Sequence, residues 1–278
     1  MSRGKPTILT CGKVVLLAVF FLFAVTPLYW IIITSLKESK EIYTFPLLYF
    51  PAHPSLESYR KLFGFAKFWI YFRNSLLLAA LAATAALFIC LISGYGLSRY
   101  PLRKSKKVIL LGLYFTQMVP GFLVMVPLFT MLAQLHLTDN LVALGAVYAM
   151  SIAFGTIMAM SFFDRIPPSL EEAALIDGCS TLQALFRVVL PVTLPGIVAI
   201  FSFEFVGFWN ELFLAVMFLS AESNLTVPVA LNSFISKAGV SWDVMSAGIV
   251  TSLLPTLIVF GFGQKFIVAG LTEGSVKG

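Results

Sequence analysis

The sequence predicts an all-α, polytopic membrane protein with about six transmembrane helices and one polar helical hairpin inserted among them. Three observations predict it. Of the 278 residues, 59% are hydrophobic and only 12% charged, with a mean hydropathy of +0.94; a soluble domain carries roughly 25% charged residues. The apolar residues gather into runs near the ~20 residues that cross a bilayer, at about 14–36, 74–98, 108–135, 141–163, 196–219 and 244–269. The polar residues gather between the runs, above all in the segment 164–195, and the whole chain 1–278 reads as one transmembrane domain.

Arg3, Lys5 and Lys13 flank the first run as they would in a signal peptide. The run is too long for one and no small-residue cleavage site follows, so it reads as an uncleaved first span. Residues 37–73 are mixed and contain Pro46, Pro51 and Pro54. Their second half, 55–72, interleaves Tyr59, Leu62, Phe63, Phe68 and Trp69 with Arg60, Lys61 and Lys67. That mix suits a helix lying at the membrane surface with its aromatics at headgroup depth. Asn74 is expected to open the second run.

The loop after the second run holds Arg99, Arg103, Lys104, Lys106 and Lys107 and no acid, which places it in the cytoplasm. The turn between the third and fourth runs carries Asp139 and no Lys or Arg, as an outside turn does. The segment 164–195 then falls inside, 221–243 outside, and both termini inside. The first outside segment has more bases than acids, but it is long and the rule weighs short loops most.

Local rules give segment 164–195 its shape. Pro167-Pro168 stop what precedes them, since proline cannot continue a helix arriving from its N-terminal side. Ser169 and Glu172 have capping-box spacing for a helix over 170–177, with Leu170, Ala173, Ala174 and Asp177 on one face. Gly178 is the C-terminal stop, able to take φ > 0. Ser180 and Gln183 form a second capping box, opening a short helix that Pro191 closes. A DNA-reading helix-turn-helix does not fit, because the unit lies between two apolar runs and holds only Arg165 and Arg187 as bases. The segment is either a plain connector or a docking surface.

Glu204 and Glu211 fall inside the fifth run, where a carboxylate costs about 2.5 kcal/mol or more unless it meets a cavity or a partner. On a continuous helix they share nearly one face, with Gly207 and Phe208 between them, Asn210 flanking and Trp209 opposite. They either line a path for a hydroxylated solute or hydrogen-bond neighbouring helices. Gln117, beside Pro120, is a further path candidate, and Pro120, Pro127 and Pro255 are expected kinks. Cys11, Cys90 and Cys179, with His53 and His136 far apart, offer neither a disulfide framework nor metal-ligand spacing. A Walker-type Gly-rich Lys-Ser/Thr loop is absent from the sequence, so an ATP site has nothing to stand on.

Glu172-Ala173-Ala174, Gly178 after three residues, and Val188-x-Leu190-Pro191 after nine more resemble the EAA signature of ABC-importer permeases, with valine replacing the usual isoleucine. Residues 74–76 (NSL), 93–100 (SGYGLSRY), 118–121 (MVPG), 208–211 (FWNE) and the tail 270–278 are similar to carbohydrate-type permeases. The tail resembles that of the second permease of maltose-type importers, departing from it at Glu273 and Ser275. The similarity covers nearly the whole chain. It implies a MetI-like inner-membrane permease of a prokaryotic binding-protein-dependent ABC importer for a sugar or oligosaccharide. The hairpin is then the coupling helix that docks on a cytoplasmic ATPase, with Glu171, Glu172, Ala173, Ala174, Asp177, Gly178, Leu190 and Pro191 as coupling residues. Glu204, Phe208, Asn210, Glu211 and Gln117 become substrate-path candidates.

The partners so implied are an ABC ATPase dimer, a sister permease giving a heterodimer, an extracytoplasmic solute-binding protein and the lipid bilayer, with no nucleic acid. The chain itself would bind no cofactor and be no enzyme; ATP and Mg would act through the ATPase. Two alternatives stand beside this reading. One is a permease of the same class for a non-sugar solute. The other is an ion-coupled secondary transporter using Glu204 and Glu211 as a proton relay, a class that does not require such a hairpin.

Overall fold

The computed structural model describes residues 8–65, 67–101, 103–236 and 239–272. In chain order the helices are α1 (Ile8–Ser35), α2 (Ser39–Ile42), α3 (Glu57–Phe65), α4 (Phe68–Arg99), α5 (Arg103–Met118), α6 (Gly121–Gln134), α7 (Leu141–Ala149) and α8 (Ala153–Phe163). After them come α9 (Pro168–Ile176), α10 (Thr181–Ala184), one π-helical turn (Leu185–Val189), α11 (Leu190–Val192), α12 (Leu194–Trp209), α13 (Phe213–Phe218), α14 (Val227–Ser233) and α15 (Trp242–Thr272). A two-residue antiparallel pair, Ile235–Ser236 with Gly239–Val240, interrupts the helices before α15. The tail residues 273–278 lie outside the described residues, as do the side chains of Cys11, Arg103 and Lys104.

Among the described residues, three helices are each long and apolar enough to cross a bilayer alone: Gly12–Ser35, Phe68–Arg99 and Trp242–Phe266. Three bent helix pairs pass the same test when each is taken together, as a broken span or a re-entrant loop: α5 with α6 at 94°, α7 with α8 at 42°, and α12 at 78° to residues 181–192, which are the second arm of the segment 164–195. Counted so, the spans number up to six, as the apolar runs predict. Their shapes differ from expectation at definite places. The third run is an elbow rather than one kinked helix, because Pro120 lacks an N–H and Gly121 starts a new helix. Pro127 is accommodated inside α6, and Pro255 inside α15. The surface helix expected over 55–72 stops at Phe65, since Lys67 takes a left-handed φ of 47°. Phe68 and Trp69 therefore belong to the second span.

The described residues divide into two compact units: one runs through Phe68 and includes Leu231–Leu253, the other comprises Trp69–Ala230 and the chain from Leu254 on. In the first, α1 is apolar on every side and its residues from Gly12 to Leu28 are exposed, as befits a helix surrounded by lipid, while Ile33, Thr34 and Ser35 at its end are buried. Beyond its end, Lys37 is buried, donating to the Leu48 carbonyl at 2.5 Å and lying 4.7 Å from the Trp30 ring. Burial pushes its ammonium pKa down, against the opposing pull of Glu41. Asp243 accepts from Ser39 Oγ at 2.6 Å and pairs with Lys61 at 3.3 Å, which ties α2 and α3 to the start of α15.

Among the described residues, the second unit holds these apolar cores. Leu78, Leu132, Leu144, Tyr148 and Phe218 form one, joining α4, α6, α7 and α13. Cys90, Ala159, Phe163, Ile166, Val189 and Ile200 form the other, where α4, α8 and α12 meet the hairpin. Asp139 has φ 55° and accepts backbone N–H bonds from Ser220 (2.9 Å) and Ala221 (3.0 Å). Those donors hold its carboxyl below the usual carboxylate range, Ser220 first. Asn74, expected to open the second run, lies buried inside α4, which starts six residues earlier at Phe68, and its Nδ2 donates to the carbonyls of Ser223 (2.8 Å) and Leu225 (3.0 Å). Ser75 Oγ accepts from the Val227 N–H at 2.8 Å. The pair fastens loop 223–227 to the end of α4 remote from Arg99.

Candidate functional site

The hairpin begins one step earlier than its capping pattern suggests. Pro168 is the first helical residue of α9, a position where a missing N–H costs nothing and the fixed φ is already helical. Ser169 therefore lies inside the helix, and no side chain caps the N-terminus: the expected Ser169–Glu172 box does not form. At the other end Gly178 has φ 88°, its N–H reaches Leu175 O at 3.0 Å, and the Cys179 N–H reaches Ala174 O at 3.0 Å. That pair of bonds is the Schellman closure, which satisfies the last carbonyls. Ser180 and Gln183 do form a reciprocal box, with bonds of 2.9 and 3.3 Å.

Pro191 does not close the second arm. The π-helical turn over Leu185–Val189 leads into α11, and the chain turns only at Thr193, by 78°. A proline removes one N–H and its ring presses on the carbonyl four residues back; the wider π turn absorbs both effects. Thr193 Oγ1 and N–H both donate to Val189 O, closing the arm before α12 leaves it.

Two faces result. Ala174, Ala184 and Val189 are buried, and Val189 belongs to the core with Phe163 and Ile166. Glu171 also turns inward, its Oε1 accepting from Arg99 Nε at 2.5 Å and its Oε2 from Tyr95 Oη at 2.7 Å. The opposite face carries Glu172, Ala173, Asp177 and Gly178, all exposed. It also carries large apolar side chains that sequence reasoning passed over: Ile176 is 86% exposed, Leu182 68% and Phe186 61%, with Leu175 beside them. Such a cluster on a polar hairpin marks a contact surface. The signal was present in the sequence, since Ile176 and Leu182 flank the Gly178 turn. Leu190 is half-buried and Pro191 exposed, both in the second arm.

The intramembrane residues do not form the single strip expected. Glu204 is 7% exposed, and its Oε1 has no hydrogen-bond partner among the described residues. It lies against Gly155, where an added Cβ would stand 2.7 Å from Oε1 and 2.6 Å from Cys90 Sγ. Glu211 lies beyond the end of α12 at Trp209, so the helical register linking it to Glu204 does not exist. Its oxygens accept from Tyr148 Oη (2.5 Å) and from the N–H groups of Leu214 (2.8 Å) and Ala215 (3.1 Å), capping α13. Phe208 stacks on the same Tyr148, 5.2 Å between centroids. Trp209 is buried between Phe72 and Phe205. Asn210 is exposed, with its Nδ2 on Val206 O at 2.9 Å, and Gln117 is exposed at the elbow between α5 and α6.

Apolar spans broken at several points, with a polar hairpin between the fourth and fifth, are the build of a membrane transport component. The chain belongs to the family described as binding-protein-dependent transport system inner membrane component, whose family model matches residues 86–272. It is 34% identical over 281 residues to the inner membrane ABC transporter permease protein YcjP of Escherichia coli (strain K12), covering all of both chains. It is 33% identical to the sulfoquinovosyl glycerol transport system permease protein SmoH of Agrobacterium fabrum, over 99% of this chain and 95% of that one. Among solved structures it resembles a chain of a bacterial ABC transporter that imports the acidic polysaccharide alginate, with a TM-score of 0.80 and 26% identity over 96% of this chain and 99% of that one. Membership of this family displaces the ion-coupled alternative.

Proposed function

We propose that this chain forms half of the translocation path of an ABC importer for a sugar or oligosaccharide, and that the hairpin transmits ATP-driven movement into it. The exposed apolar tip of the hairpin carries the reading. Among the described residues nothing covers Ile176, Leu182 and Phe186, which stay 86%, 68% and 61% exposed, while the Schellman turn and the Ser180 box keep the arms rigid. A cleft in a cytoplasmic ATPase is the occupant, with Glu172 and Asp177 at its rim. Nucleotide and magnesium are bound there and not by this chain, which has no enzymatic role. Support for the sugar class comes from the names of its relatives, one transporting sulfoquinovosyl glycerol and another alginate.

In this reading the basic loop after α4 and both termini face the cytoplasm of a prokaryote, and a sister permease and a solute-binding protein complete the assembly. Gln117 and Asn210, exposed at breaks in their helices, are the residues we place along the path, with Phe208 beside them. Glu211 acts there through the Tyr148 shelf, and Glu204 holds α12 against α4 and α8.

Energy source is the test. The assembly is reconstituted with its co-purifying binding protein and a panel of labelled sugars that includes sulfoquinovosyl glycerol and alginate oligosaccharides. Uptake is expected to require ATP on the hairpin side and to persist when the proton gradient is collapsed. Uptake driven by an imposed pH gradient without ATP would refute the proposal.

A further inference from the structure

Resting on that docking reading, we infer that α4 is the rod that carries hairpin movement across the membrane, clamped to the hairpin by Tyr95, Ser98 and Arg99 and to the far loop by Asn74 and Ser75. The first clamp uses one helix face, since positions 95, 98 and 99 have the i, i+3, i+4 spacing of neighbours. Arg99 Nε donates to Glu171 Oε1 at 2.5 Å, and its Nη2 donates to Ile166 O at 3.0 Å, so one guanidinium grips both the hairpin helix and the turn before it. Tyr95 Oη takes the other Glu171 oxygen at 2.7 Å, and its ring stands edge-on to Phe163 at 5.5 Å. Ser98 Oγ donates to Asp164 Oδ1 at 2.5 Å. The ion pair is largely sheltered, its side chains 14% and 13% exposed, and charge-assisted bonds of fixed geometry hold direction as well as distance.

The chain itself explains why a clamp is needed. The hairpin is joined covalently to α8 through residues 164–167 and to α12 through the bend at Thr193. The long α4 has no such joint and, among the described residues, is bonded to the hairpin and the turn before it through the side chains of Tyr95, Ser98 and Arg99. From Arg99 to Asn74 an unbroken helix spans about 37 Å at 1.5 Å per residue. There Asn74 Nδ2 holds Ser223 O and Leu225 O, and Ser75 Oγ holds the Val227 N–H. Glu171 is thereby a positioning residue within the coupling motif and not part of its docking face. Displacement of the hairpin pulls α4, and α4 moves loop 223–227 on the opposite side.

Hydrogen–deuterium exchange of residues 220–227 in the complete reconstituted transporter tests this, comparing the nucleotide-free state with ATP plus vanadate. The wild-type loop is expected to change its exchange rate on trapping. Glu171→Gln and, at the far end, Asn74→Ala are each expected to shrink that change by about tenfold, within the range typical of coupling between sites, while bound ATPase and its hydrolysis persist. The exchange Arg99→Glu with Glu171→Arg is expected to restore part of the response, which a merely structural loss would not allow. Should Glu171→Gln not accumulate, Tyr95→Phe removes only the hydroxyl and is expected to weaken the response about threefold. A full trapping response in Glu171→Gln or in Tyr95→Phe overturns the inference. Loss of the ATPase from Glu171→Gln also overturns it, by assigning Glu171 to the docking face, and leaves the docking reading standing. A wild-type assembly that carries no ATPase removes both.

Discussion

Gly178→Val is expected to lower the amount of ATPase recovered with this chain about tenfold, without lowering the amount of the chain itself. Gly178 has φ 88°, and both bonds of the closing turn, Gly178 N–H to Leu175 O and Cys179 N–H to Ala174 O, depend on that left-handed conformation. A β-branched residue there costs about 1–2 kcal/mol, and each 1.4 kcal/mol is about a factor of ten in an equilibrium. An added Cβ at Gly178 meets nothing within 4 Å, so the penalty is one of backbone conformation and not of crowding. Gly178→Asn supplies the control, because asparagine enters the left-handed region at low cost. It is expected to retain most of the ATPase. The measurement is the ATPase-to-permease ratio after purification, with abundance in the membrane alongside. Equal recovery for Val and wild type, or equal loss for Val and Asn, would contradict the account.

The second large effect is expected at Gly94, where α4 crosses α8. An added Cβ would lie 2.6 Å from Ala159 Cβ, 2.8 Å from Met160 N and 3.0 Å from Ala159 C. Two of these three atoms are main chain, so relief requires the helices to part. Overpacking of this kind costs about 1–3 kcal/mol, and Gly94→Val should lie at or beyond the upper end. Gly96, two residues on in the same helix, has open space at its Cβ position. There alanine is expected to be neutral or to stabilise by up to about 1 kcal/mol through helix propensity. Thermal midpoints in detergent should thus fall clearly for Gly94→Ala, further for Gly94→Val, and not for Gly96→Ala. A lower midpoint for Gly96→Ala than for Gly94→Ala would show that α4 and α8 do not pack as described.

The contrast between these two glycines shows where sequence reading ends. Both stand in one motif, and nothing local distinguishes them; the difference is made by a helix some sixty residues later in the chain. Features that depend on neighbours along the chain were legible: the number of spans, the Gly178 stop, and the Ser180–Gln183 box. Pro167-Pro168 were legible as punctuation but ambiguous in sense, because a proline that ends one helix is also suited to begin the next. The 94° elbow at Pro120 looks like a mere kink in the sequence, since hydropathy does not register direction. Helical periodicity puts Glu204 and Glu211 on one face, and it fails where α12 ends at Trp209. The partners of Glu171 and Asn74 were beyond reach altogether. Arg99 is 72 positions from Glu171, and Ser223 is 149 positions from Asn74.

A photo-crosslinking side chain at position 176 tests most directly whether the outer face of the hairpin sits in a partner ATPase. Ile176 is the most exposed apolar residue of the hairpin, and its replacement disturbs no buried contact. Irradiation of the intact assembly is expected to join this chain to the ATPase from position 176, and from position 182 on the facing arm. The same side chain at position 223, in the loop held by Asn74, is expected to give no ATPase adduct. Adducts to the ATPase from position 223, with none from 176 or 182, would contradict the account.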